Sequence, residues 1–209
     1  MSILNRVTDL IGEVTSFDAE DNSYRAAIYE VTDLLKSELL MKYSSAPATL
    51  DSTTVEWDSP SDSKILDVIR KDSNGIGRVA INVPLSMYES VNDAASIYSS
   101  TAFSPVYTIE ISSLKVSPLP TDTEICNIYY YDYNTTAVLA TDPSISNFPE
   151  SATQAVVLKT AINILANKMS NSIQDEEDDE ISRMIQGQMG QLHELFKAEM
   201  ERLGGGSSE

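Results

Sequence analysis

The sequence predicts an α+β protein: a helical bundle body, an inserted small antiparallel β-sheet or barrel, and a C-terminal helical extension. Three observations predict it. Apolar residues recur at helical spacing near both ends of the chain. The stretch from Thr53 to Tyr133 holds short runs of β-branched and aromatic residues, broken by Ser, Pro and Asn-Gly. Between that stretch and the last helix lies NFPESATQAVVLKTAINILANKM, Asn147–Met169, an almost charge-free segment opened by Pro149. The expected divisions are a helical hairpin over 1–43, a β-rich insertion over 44–140, a central helix over 141–172, and an acidic helix with a tail over 173–209.

In residues 2–15, Ile3, Leu4, Val7, Leu10, Ile11 and Val14 fall on one helical face. The polar run Ser16–Ser23 reads as a turn, and Asn22 or Ser23 as the cap of a second helix. Ala27, Ile28, Val31, Leu34, Leu35 and Leu39 form the broad face of that helix, and the two apolar faces are expected to meet. Ser44–Thr54, rich in Ser, Thr, Pro and Ala, ends the helical pattern.

Strands are expected at Thr53–Trp57, Ile65–Arg70 and Arg78–Val83, the last two joined by a turn around Asn74-Gly75. Residues 84–104 fit a short helix, an excursion or a wrapping loop. Further strands are expected at Val106–Ile111, Leu114–Val116 and Glu124–Tyr133. In the first of these, Tyr107, Ile109 and Ile111 share one side and Thr108 and Glu110 point away from it. EICNIYYYDY has consecutive β-prone apolar positions, which implies cover on both faces.

Pro at a first helical turn is favourable, because its missing N–H would lack a helical partner. The helix that follows has two apolar faces. One carries Ala152, Ala155, Val156, Ile162, Ala166 and Met169, and the other Val157, Leu158, Ala161, Ile164 and Leu165. A last helix from about Glu177 to Leu203 sets Ile181, Met184, Ile185, Met189, Leu192, Phe196 and Met200 near one side, and DEEDDE at Asp175–Glu180 meets its positive dipole end. Gly187 and Gly190 weaken its middle by about 1 kcal/mol each relative to Ala. Faces so apolar need partners. The expected contacts with neighbouring copies are Ala152, Ala155, Val156, Ile162 and Met169 on the central helix, and Ile181, Ile185, Met189, Leu192 and Phe196 on the last.

Thirty-two acidic against fourteen basic residues leave a net charge of −18, which repels nucleic-acid phosphate and argues against groove binding. A lone cysteine, Cys126, excludes an intrachain disulfide and a cysteine-built metal cluster. No stretch has the roughly 18 continuous apolar residues of a membrane helix, and MSILNRVTDLIGEV lacks the pattern of a secretory leader. A reducing compartment is the expectation.

Chemical motifs are sparse. His193, the single histidine, sits on the last helix beside Gln191 and Glu194 with no second histidine near it. Cys126 lies in a strand pattern and reads as a buried thiol. Asp175–Glu180 lacks the alternating ligands and central Gly of an EF-hand loop. Asn74-Gly75-Ile76-Gly77-Arg78 lacks the Lys-Ser/Thr of a phosphate loop. Tyr129, Tyr130, Tyr131 and Tyr133 lack the basic track that single-strand stacking requires, and read as sheet core and interface. A hydrolase built on carboxylates such as Asp58 and Asp62 is the remote alternative. No catalytic residue, cofactor or metal is expected.

Four segments together resemble the head-to-tail adaptor, or connector, proteins of tailed bacteriophages. They are DLLKSELLMKY, YTIEISSLKVSPLPTDTEICNIYYYDY, the linker TDPSISNFPE, and SATQAVVLKTAINILANKM. The resemblance spans most of residues 5–200 through loose patterns. It implies a structural virion protein of the neck, assembled in the cytoplasm of the bacterial host. Such a protein forms a ring, commonly of twelve copies, between portal and tail or stopper protein, and DNA passes through without specific binding. Ala152–Met169 would be a ring-body helix, Ile181–Leu203 the portal-reaching segment, and Tyr107–Tyr133 the β part. Asp175–Glu180 departs from the family pattern, which carries less acid there. A tail-completion or stopper subunit is the alternative within the same class.

Overall fold

Six helices and eight strands form in chain order in a computed structural model that describes residues 2–13, 17–58, 63–133, 139, 144–172 and 179–204. The helices are α1 (Ile3–Ile11), α2 (Phe17–Leu34), α3 (Ser37–Leu40), α4 (Leu85–Asn92), α5 (Thr153–Ser172) and α6 (Asp179–Arg202). The strands are β1 (Ala48–Leu50), β2 (Glu56–Asp58), β3 (Ser63–Lys71), β4 (Gly77–Val79), β5 (Ile81–Asn82), β6 (Val106–Glu110), β7 (Ser113–Ser117) and β8 (Ile125–Asp132). The protein is thus of mixed α and β class. It divides into a helical unit, Met1–Tyr43 with Tyr133–Glu209, and a β unit, Ser44–Asp132.

The helical unit is organised around α5. Helices α1, α2 and α6 each pack on it. The first two therefore meet α5 rather than chiefly each other, which corrects the expected hairpin of facing apolar stripes. Both apolar faces of α5 are covered: Ala155, Val156, Ile162, Val157, Ala161 and Leu165 are all buried. Ala at the contact positions lets the backbones approach closely. Polar bonds hold the neighbours in register. Asn163 Nδ2 donates to the Ser23 carbonyl at 3.3 Å, Lys159 pairs with Glu30 at 2.5 Å, and Arg6 donates to Gln154 Oε1 at 2.5 Å. At the far side Gln188 donates to the Leu10 carbonyl at 2.7 Å, and Arg202 to the Ser151 carbonyl at 2.8 Å.

Several expected boundaries move. The polar run expected as a turn is helical from Phe17, so neither Asn22 nor Ser23 caps α2. Tertiary packing of Tyr24, Ala27, Ile28 and Val31 carries the helix back through it. The chain breaks at Leu35 and Lys36, then resumes as α3 and a 3-10 turn, Met41–Tyr43. Pro149 precedes a 3-10 turn at Glu150–Ala152, and α5 begins at Thr153. Asp175–Asp178 of the acidic run lie outside the described residues; Asp179 opens α6.

Gly187 and Gly190 are exposed on α6, and a Cβ at either would meet nothing within 4 Å. Replacing both by Ala removes backbone entropy from the unfolded chain without a clash. The double variant is expected to gain about 1 kcal/mol per site, read as a higher midpoint of helix loss by circular dichroism.

In the β unit, two four-stranded sheets run in the orders β1-β8-β3-β4 and β2-β7-β6-β5. Neither closes into a barrel, and one pair, β5 with β6, is parallel. The sheets share a core of Leu50, Val68, Leu114, Val116, Cys126 and Ile128, with Trp57 and Tyr107 packed against it. The hairpin β3–β4 turns where Asn74-Gly75 predicts. Asp72 Oδ1 accepts from the Asn74 and Ile76 N–H groups at 2.9 Å each, and Gly75 takes φ +78, which a side chain would resist. Residues 84–104 hold one helix, α4, which packs on β6. For that reason Thr108, on the side away from Tyr107, is buried, whereas Ile109 near the strand's end is exposed.

Candidate functional site

The residues expected to face other copies are largely sealed inside the helical unit. Ala152, Ala155, Val156, Ile162 and Leu192 are buried by the chain's own helices. Met169, Ile185, Met189 and Phe196 are half-buried, and the side chain of Ile181 lies outside the described residues. For the five buried residues, periodicity identified the apolar face, and its cover comes from the chain itself. Of the first group, none offers its side chain to a second molecule.

Exposed apolar surface gathers instead on the β unit. Among the described residues, thirteen of the fifteen large hydrophobic side chains left exposed belong to it, and only Met184 and Leu195 to the helical unit. Both units cover a core of their own, but the β unit leaves more large apolar side chains in water beyond it.

One part of that surface is the segment Ile76–Asn82, which carries Ile76, Val79 and Ile81. Here β4 is an outer strand of one sheet and β5, two residues on, an outer strand of the other. The Ala80 N–H donates to the Val68 carbonyl at 2.8 Å, the Ile81 N–H to the Pro105 carbonyl at 3.0 Å, and the Val83 N–H to the Tyr107 carbonyl at 2.9 Å. By the alternation of ladder bonds, the backbone groups of Gly77, Val79 and Asn82 turn outward. Val79 is 62% and Ile81 61% exposed, and Phe103 beside them 77%. The Arg78 guanidinium lies 5.6 Å from the Phe103 ring centroid. Arg and aromatic residues beside uncovered aliphatics are the composition of a protein-contact centre. Sequence reading places a strand here but carries no sign that the strand is a sheet edge.

A second exposed feature is the β6–β7 tip. Ile111 there is wholly exposed at φ 58, a left-handed conformation that strains a β-branched side chain.

A third is an open cleft of about 680 Å³ beside α4, lined by Leu85, Tyr88, Glu89, Asn92, Asp93, Glu110 and Lys115 among others. Glu110 holds Lys115 at 2.7 Å, and Glu56 stands 4.0 Å from the same ammonium. These partners, the Glu110 hydrogen bond foremost, raise the Lys115 pKa. Lys115 is therefore engaged, and Glu89 and Asp93 supply the cleft's remaining charge. The chain of hydroxyl and amide bonds from Ser100 through Ser117 Oγ to Asn92 Oδ1, at 2.7 and 2.8 Å, fixes α4 against β7.

The chemical candidates fall apart in space or in kind. His193 is exposed on α6. Burial drives the Cys126 thiol up to about 12, so it is no nucleophile. Asp58 is exposed on β2, and Asp62 lies outside the described residues. Of the tyrosines, Tyr131 is fully buried, Tyr130 stacks tilted on Trp57 at 4.8 Å, and Tyr133 meets Tyr29 edge-on at 4.8 Å while donating to Asp33. Among the described residues, no group of three or more His, Cys, Asp or Glu is set to hold a metal ion, and no helix is long and apolar enough to cross a membrane.

No family model matches the chain, and no curated protein matches it.

Proposed function

We propose that the chain is a structural protein of a tailed-phage neck, a head-to-tail adaptor that rings the DNA passage between portal and tail. The helical unit is then the bundle body of the ring, and the β unit carries the contacts. The observation that supports this reading best is the unequal distribution of uncovered apolar surface among the described residues, dense on the β unit and sparse on the helical unit. A protein that acts by being assembled needs such a surface; one that acts on a small substrate needs convergent polar groups in a closed pocket. The net charge of −18 supports it further, since a lumen of this sign lets a packaged polyanion slide without adhering. The order of the four adaptor-like segments supplies the class.

The test mixes the purified chain with the portal protein encoded in the same genome, and separately with its tail proteins. Closed rings of the chain seated on the portal, seen in electron micrographs and counted by class averaging, are the expected result. Binding to the tail protein with no portal binding reassigns the chain to a tail-completion or stopper subunit. Binding to neither overturns the reading.

A further inference from the structure

We propose that neighbouring copies join through the β unit, the β4–β5 edge of one copy seating in the α4 cleft of the next. This contact rests on the proposed ring and adds to it the faces that touch.

The occupant follows from charge and shape. Two chains of charge −18 repel unless their contact sets opposite charges together. Of the five basic residues of the β unit, Arg70 is buried on Glu124, Lys115 is held by Glu110, and Lys64 and Lys71 are half-buried along β3. Arg78 is exposed, and among the described residues it has no carboxylate within ion-pair distance. Its guanidinium lies against the exposed Phe103 ring, and the exposed Val79 and Ile81 follow it along the same edge. The cleft offers the complement: Leu85 and the half-buried ring of Tyr88 for the apolar side chains, Glu89 and Asp93 for the guanidinium. Its volume of about 680 Å³ accepts several side chains.

The cleft takes lining from Glu110 of β6 and Lys115 of β7, whereas the edge is β5 at the end of that sheet. The two patches differ in place and in charge. Their contact is therefore head-to-tail, the kind that leaves a free patch at each end and closes only as a ring.

Charge reversal tests it. Arg78→Glu makes both patches acidic, and Glu89→Lys with Asp93→Asn makes both basic. All three positions are exposed. The amide that replaces the Asp93 carboxylate still accepts the Ala95 N–H, which Asp93 Oδ1 accepts at 2.9 Å. Sedimentation velocity of each protein, alone and on the portal, is expected to show association weakened by about tenfold or more in either variant. An equimolar mixture of the two variants, in which every edge again faces an opposite cleft, is expected to restore assembly. Circular dichroism identical to the parent confirms that each variant is folded. Rings formed normally by either variant alone, or no recovery on mixing, overturn this contact and leave the adaptor reading standing. A parent chain that stays monomeric with and without portal overturns both.

Discussion

Replacing Arg70 with Met lowers the stability of the β unit by about 3–5 kcal/mol. Arg70 projects from β3 with only 3% of its side chain exposed, and its Nη2 lies 2.7 Å from Glu124 Oε2, itself 13% exposed. The same guanidinium donates to the Pro118 carbonyl at 3.1 Å and to the Leu119 carbonyl at 3.4 Å. A Met of similar length leaves the carboxylate without its cation and both carbonyls without this donor, at a position whose own side chain is almost sealed from water. Trp57, the chain's single tryptophan, packs on the core of this unit, so its fluorescence reports the loss directly. An unchanged denaturation midpoint would show the pair to be dispensable.

The same site sets an acid limit. The Thr121 backbone N–H, then the Thr121 hydroxyl and Arg70, hold the Glu124 carboxyl below its ordinary 4.5, against the opposing effect of burial. A depressed value in the folded state gives stability that is complete above 4.5 and is lost as pH falls through the lower folded value. Glu124→Gln is accordingly expected to flatten the decline of Trp57-monitored stability in that acid range.

Replacing Ile162 with Ala destabilises the isolated chain by about 2–5 kcal/mol. Ile162 is 3% exposed in the helical unit, where α1, α2 and α6 enclose α5. Truncation removes buried apolar contact and leaves a void that packed helices fill only in part. The result discriminates between two uses of one face. Were Ile162 covered by another copy, the dilute monomer would melt as the parent does and only assembly would suffer. Thermal unfolding followed by far-UV circular dichroism at low concentration separates the two.

Local pattern made much of this fold legible. The 3.6-residue recurrence in Ile3–Ile11 and Thr153–Ser172, the Asn74-Gly75 turn and the β-prone run through Tyr131 all name their elements, because each depends on residues close in sequence. Other features resist such reading. Phe17–Ser23 is helical against weak local preference, as the front of a helix whose later turns, from Tyr24 to Val31, are buried. The burial of Thr108 comes from α4, a helix that its own residues leave ambiguous. The candidate site was the least legible part. Val79 and Ile81 carry the same β preference as Val68 and Val116, and only the fold leaves the first two uncovered, on outer strands.

By itself, then, the sequence determined the α and β segments, the strongly acidic charge and the apolar stripes of the helices. Only the tertiary structure decided what covers each stripe: α5 is enclosed by helices of its own chain, while Ile76, Val79 and Ile81 are left bare at the margin of two sheets. The physical reason is that periodicity records which side of an element avoids water, whereas cover depends on contacts between residues far apart in the chain.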